Sequence, residues 1–215
     1  VIGPLIREHR GDDPIRVWVA GCSTGEEAVS AAIMLAEAFD RAGLEPRFQI
    51  FATDIDQRAV DTARDASFPA SIAEDVHPDR LTRYFFEENG RYVLGKPLRD
   101  RILFARQDLL SDPPFSKLDL ILCRNVMIYL DPQAQARILR MFHFALKSDR
   151  YLFLGSSETV GKQSPHYATL SKEWRIYRCI GEKQSERVTL PHTTTDVHGG
   201  VRSSETRASA RMQSY

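Results

Sequence analysis

A chain of 215 residues, 42% of them hydrophobic, is long enough to bury one sizeable core. Its 29 lysines and arginines balance 29 aspartates and glutamates, and a formal net charge of zero makes no electrostatic case for nucleic acid or an anionic membrane. No apolar run reaches bilayer length, no charged-then-apolar leader pattern opens the sequence, and Cys22, Cys123 and Cys179 are too widely spaced for a zinc site or a disulfide frame; reduced thiols in a cytoplasmic setting are expected.

Taken in chain order, residues 1–10 read as the end of a helix, and 15–20 as a buried strand. Apolar residues at Ala28, Ala31, Ala32, Leu35 and Phe39 have helical spacing over 26–42, closed by Gly43. A second strand over 48–53 and a short helix over 57–65 complete a strand-helix-strand-helix rhythm, which predicts parallel strands with right-handed crossovers. The rhythm then breaks. Asn89-Gly90 between aromatic and apolar runs is a hairpin signal, and a small antiparallel excursion is expected over 84–103. It resumes with the fully apolar 118–123, a helix from Pro132 to about residue 146, and strands at 151–154 and 175–180. Beyond Gly181 large apolar residues nearly vanish, so the expected domain is 1–181 with a polar linker or disordered tail over 182–215.

Five fragments carry candidate chemistry. The first strand stops at Gly21-Cys22-Ser23-Thr24-Gly25, a small turn opening onto a helix N-terminus. It is neither a phosphate-binding Gly-Lys-Ser/Thr loop nor a full G-x-G-x-x-G, so a plain tight turn and a cofactor cradle both remain open. Glu26 and Glu27 either stabilise the helix dipole, an effect of about 0.3–1 kcal/mol, or face a ligand amino group. The second strand ends in Thr53-Asp54-Ile55-Asp56; Asp56 is assigned to capping the next helix, and Asp54 to a ribose diol. Asp108 and Leu109, in a loop after a strand, can border an adenine or be a plain loop fragment. Arg124-Asn125 ends a buried strand, where strongly polar side chains are costly unless paired or functional.

In order and spacing these fragments resemble the CheR family, the S-adenosylmethionine-dependent protein-glutamate O-methyltransferases of bacterial chemotaxis. The matching text is Ala20-Gly21-Cys22-Ser23-Thr24-Gly25-Glu26-Glu27, Ala52-Thr53-Asp54-Ile55-Asp56, Arg80-Leu81-Thr82-Arg83-Tyr84-Phe85, Cys123-Arg124-Asn125-Val126-Met127-Ile128-Tyr129 and Leu152-Phe153-Leu154-Gly155-Ser156-Ser157-Glu158. The resemblance implies an α/β fold: a Rossmann-like class I methyltransferase sheet of about seven strands with a small inserted antiparallel β-subdomain. It implies S-adenosylmethionine as cofactor and S-adenosylhomocysteine as product. Gly21, Cys22, Asp54 and Ile55 would bind the cofactor, Asp54 at its ribose, and Asp108 with Leu109 would border the adenine. Glu27, with Glu26 as fallback, would meet the methionine end. Arg124 and Asn125 would close the site beside the sulfonium, and Tyr129 would approach the acceptor. The implied partner is a methyl-accepting chemotaxis-type receptor, with no nucleic acid, no membrane insertion and no metal.

Three departures from the family pattern stand out. The helical segment that family members carry ahead of this region is not in the sequence, which opens after that point. Lys147-Ser148-Asp149-Arg150 replaces the usual Pro-Gly-Gly turn, and the excursion at 84–103 is short, as in forms that do not need a receptor's C-terminal peptide. The Gly155–Gly161 and Trp174–Arg178 stretches are similar to the CheR portion of fusions with methylesterase and PAS-type sensor modules. The rival reading within the resemblance is a non-catalytic module that binds S-adenosylmethionine or its product and regulates a larger signalling protein. An oxidoreductase would want G-x-G-x-x-G, and an amine methyltransferase an Asn-Pro-Pro-Tyr-type loop; neither string occurs.

Overall fold

A computed structural model describes residues 1–9 and 13–181; the tail expected over 182–215 lies outside the described residues. After α1 (Ile2–Glu8), β1 (Ile15–Ala20) leads into α2 (Glu26–Arg41), β2 (Phe48–Asp54) and α3 (Gln57–Asp65). An excursion follows: β3 (Ser67–Pro69), α4 (Pro78–Tyr84), β4 (Phe85–Glu88), β5 (Arg91–Leu94) and α5 (Lys96–Arg99). The chain then returns through β6 (Ile102–Arg106), β7 (Leu118–Cys123), α6 (Pro132–Ala145), β8 (Leu146–Leu154), β9 (Tyr167–Ser171) and β10 (Ile176–Cys179).

Seven strands form one sheet in the order β6-β2-β1-β7-β8-β10-β9, as expected for the α/β fold. β6, β2, β1, β7 and β8 are mutually parallel, and β10 runs antiparallel to β8 and β9. The central strands are apolar throughout because both faces are covered. Val17, Trp18, Val19 and Ala20 are all fully buried, and every residue of β7 is buried. One core cluster takes its α-helical residues from α1, α2, α3 and α5, and the other from α6. The chain goes from β1 outward to β2 and β6, then crosses back to β7 on the other side of β1. That reversal makes the carboxyl ends of β1 and β7 the point where a doubly wound sheet opens a crevice.

The excursion differs from the expected 84–103 at both ends. Its three-stranded sheet, β3-β5-β4, takes in Ser67–Pro69 and closes at Leu94, whereas Ile102 and Leu103 open β6 and pair with Ile50 and Phe51 of the main sheet. A three-residue strand ending in proline carries no alternation to read. The hairpin does turn at Asn89-Gly90, with both residues at positive φ. Arg80 makes a two-pronged pair with Glu37 at 2.7 and 2.8 Å, so α4 is clamped on α2.

The Lys147–Arg150 departure also has a structural use. It lies inside β8, where the register with β7 shifts between Leu118 and Leu120. Lys147 Nζ donates to both oxygens of buried Asp119 at 2.8 and 3.0 Å, and Arg150 Nε lies 3.3 Å from one of them. The Arg16 amide donates to Asp119 as well, so a buried carboxylate on β7 is paired from three directions.

Candidate functional site

The crevice at the switch point starts from backbone. The amides of Gly21 and Cys22 both donate to Thr53 O, at 2.7 and 2.9 Å, which folds the turn after β1 against the end of β2. Thr53 Oγ1 meanwhile accepts from Trp18 Nε1 at 2.9 Å, satisfying two buried polar groups between β1 and β2. Gly21 stands at φ 78°, and a Cβ there would lie 2.2 Å from Val126 Cγ2. The turn after β1 and the turn after β7 therefore touch through a residue that has to be glycine. Gly25, at φ 99°, caps α2 without a side-chain hydrogen bond and packs against Ala63 and Phe104.

Asp54 sits at the tip of β2. Its Oδ2 accepts from the Ser23 amide at 2.8 Å and its Oδ1 from the Asp56 amide at 3.0 Å, which fixes the carboxylate with a lone pair spare on each oxygen. Asp56 Oδ1 accepts from the Arg58 amide and caps α3, as expected. On the far side Asp108 is part of its own turn: Oδ1 accepts from the Leu110 amide at 2.8 Å, and its amide donates to Asp112 Oδ2 at 2.8 Å. Gly21, Ser23, Asp54 and Ile55 form one wall of a cleft of about 420 Å³; Asp108, Leu109 and Leu110 form another. Asn125, Val126 and Tyr129 complete it.

Glu27 and Arg124 meet each other beside that cleft rather than within its lining. Arg124 Nη1 lies 3.1 Å from Glu27 Oε1, and the guanidinium stands over the Phe153 ring at 5.2 Å. Burial pushes the Glu27 carboxyl up from its ordinary range; Arg124 pulls it back, and the charge of Glu158 pushes it up further. Glu26 turns elsewhere, accepting from Thr24 Oγ1 at 2.8 Å. Cys22 is buried beside the turn, and burial, followed by the charge of Asp54, pushes its thiol up to about 12, so it stays protonated at neutral pH. Tyr129, in a short 3-10 turn at Met127–Tyr129, is 82% exposed at the mouth.

Two residues that sequence reasoning did not place at the site hold it in shape. Gln135 on α6 donates from Nε2 to Met127 O at 2.9 Å and Leu130 O at 3.0 Å, pinning the 3-10 turn. Glu158, in the loop after β8, is buried and accepts from the amides of Asn125, Val126 and Met127.

The cleft suits a nucleoside joined to a charged amino acid. The fixed Asp54 carboxylate, apolar Ile55 and Leu109, and Asp108 all line it, and the Glu27–Arg124 pair lies beside it. No group of three or more His, Cys, Asp or Glu among the described residues is arranged to hold a metal ion. No helix among them is long and apolar enough to cross a membrane.

Comparison with known proteins gives the family. Residues 1–176 match the family model for the CheR methyltransferase SAM-binding domain. The chain is 42% identical over 180 residues to a 104.1 kDa protein of Rhodobacter capsulatus, covering 84% of this chain and 19% of that one. It is 39% identical over 167 residues to the chemotaxis protein methyltransferase of Salmonella typhimurium and 38% identical over 167 residues to that of Escherichia coli. Each of these two alignments covers 72% of this chain and 56% of the relative, so the chain spans only part of the length of the proteins it matches.

Proposed function

The chain belongs to the CheR methyltransferase family through its SAM-binding domain, and from that premise we propose that it methylates glutamate side chains of a chemoreceptor-type signalling protein, forming methyl esters. The observation that carries the proposal is the joining of the β1, β2 and β7 turns around one cleft, with Asp54 fixed at its centre and Arg124 and Tyr129 beside its mouth. Two chemotaxis protein methyltransferases among the relatives support the acceptor class.

When bound, S-adenosylmethionine supplies a methyl group already activated by a positively charged sulfur. In this proposal Asp54 takes the ribose hydroxyls on the lone pairs that Ser23 and Asp56 leave free. Leu109 and Ile55, with Asp108, would hold the adenine. Glu27, paired with Arg124 in the structure, would offer its carboxylate to the ammonium of the methionine end. Arg124, half-exposed, would orient the incoming carboxylate, and Tyr129 would border the same approach. A glutamate is already ionised at neutral pH, so no general base is required of this site. What the chain contributes is alignment and exclusion of water. An arginine that held the acceptor too tightly would only stabilise the ground state, and half-exposed Arg124 avoids that.

The test is transfer of label from tritiated S-adenosylmethionine to receptor-containing membranes, followed by mild alkali. Volatile, base-released label supports glutamate esters; base-stable label overturns the acceptor, and cofactor binding without transfer favours a non-catalytic module. Tyr129→Phe is expected to lower the transfer rate at least ~tenfold while leaving cofactor affinity within ~twofold, because phenylalanine keeps the ring that lines the cleft and removes only the hydroxyl. A wild-type transfer rate in that variant would contradict the role given to Tyr129.

A further inference from the structure

Glu158 is an unusual carboxylate. It lies in a polar loop, yet it is only 4% exposed. Its Oε1 accepts from the amides of Val126 at 2.9 Å and Met127 at 2.7 Å, and its Oε2 from Asn125 at 3.2 Å and Gly155 at 2.6 Å. All four donors are backbone amides, and three of them are consecutive. Successive N–H groups converging from one turn form a concavity that holds an anion, and here the anion is a side chain of the protein itself.

The turn needs such an anchor. Asn125 stands at φ 59°, in the left-handed region, and the residues on either side of it do different work: Arg124 reaches Glu27, and Val126 fills the space against Gly21. Gly155 locks the arrangement from below. A Cβ on Gly155 would lie 2.7 Å from Glu158 Oε2 and 2.8 Å from both the amide nitrogen and Oδ1 of Asn125. The β7 and β8 turns are thus packed without a spare atom, and one carboxylate joins them.

We propose that Glu158 is the positioning residue of the cofactor cleft: its buried carboxylate holds the Arg124–Tyr129 turn in the shape that presents Asn125 and Val126 to S-adenosylmethionine. This rests on the cofactor reading of the cleft. Both oxygens of Glu158 already accept two amides each. Glu158→Gln must therefore turn an NH2 group towards two N–H donors whichever way it sits. Glu158→Asp keeps the charge but is one methylene too short to reach both pairs.

The experiment measures S-adenosylhomocysteine affinity by calorimetry and amide hydrogen exchange by NMR, in wild type, Glu158→Gln and Glu158→Asp. Circular dichroism identifies folded protein. Expected are at least ~tenfold weaker binding and at least ~tenfold faster exchange at Asn125, Val126 and Met127 in Glu158→Gln, with Val19 and Ile121 on the central strands unchanged. Glu158→Asp is expected between the two. Folded Glu158→Gln that binds within ~twofold of wild type overturns the proposal, since a residue serving stability alone would leave the affinity of the folded protein unchanged. If Glu158→Gln does not fold, wild-type affinity in Glu158→Asp overturns it equally. Wild-type protein that does not bind S-adenosylhomocysteine overturns the cofactor reading, and this proposal with it; loss confined to the variants leaves both standing.

Discussion

Asp54→Ala is expected to bind S-adenosylmethionine about a hundredfold or more weakly than wild type. Two hydrogen bonds from ribose hydroxyls to an ionised acceptor contribute about 1.5–3 kcal/mol each, and about 1.4 kcal/mol is a factor of ten in affinity. The fold is expected to survive. The Ser23 and Asp56 amides that lose their acceptor are exposed enough for water to replace it, and the β2 residues behind them, Ala52 and Thr53, keep their pairing with β1. A melting temperature within a few degrees of wild type, together with the lost affinity, is the signature. Unchanged affinity would refute the ribose role of Asp54. A large fall in melting temperature would show instead that the carboxylate serves the turn.

Gly21→Ala is expected to have the second largest effect, by a different route. The new methyl would lie 2.2 Å from Val126 Cγ2, on a backbone at φ 78° that L-residues with a Cβ seldom adopt. Left-handed strain costs of order 1–3 kcal/mol and overpacking about 1–3 kcal/mol more. The part that can relax does so by pushing the β7 turn away from the β1 turn, which opens the cleft between them. Both stability and cofactor affinity are expected to fall. Adding Val126→Ala removes the clash but not the strain, so the double variant should recover part of the stability lost by Gly21→Ala. A double variant no more stable than the sum of the two single changes would contradict the contact between the turns.

The central strands were legible because burial on two faces leaves a plain record. The runs at 15–20, 48–53 and 118–123 carry apolar residues at nearly every position, and each is a parallel strand of the main sheet. Helix α2 was legible from its apolar spacing, and Asp56 from cap chemistry. Edges were harder. β9 was not predicted, because it is an outer strand in which Thr169 and Leu170 face solvent. The first half of β8 is charged because Lys147 and Arg150 serve Asp119 across the sheet. Ile102 and Leu103 belong to an outermost parallel strand, and only their pairing with β2 distinguishes them from the small sheet.

Within the site, sequence brought the turn glycine and the strand-tip acid to one crevice, because the carboxyl end of a strand is fixed once the strand is. Only the resemblance ranked Glu27 ahead of Glu26; adjacent helical positions point about 100° apart, and in the structure Glu27 meets Arg124, far along the chain, while Glu26 meets Thr24. Sequence could not show what Glu158 does. An acid following Gly155-Ser156-Ser157 reads as exposed loop, and the four amides that bury it come from two turns about thirty residues apart in the sequence. The functional weight of Glu158 is a property of packing between the β7 and β8 turns.

Titrating the wild-type chain with S-adenosylmethionine and then with S-adenosylhomocysteine in a calorimeter tests the central claim most directly. Saturable binding of both is expected at one site per chain, lost in Asp54→Ala. A demonstrably folded protein that binds neither would contradict the assignment of the cleft.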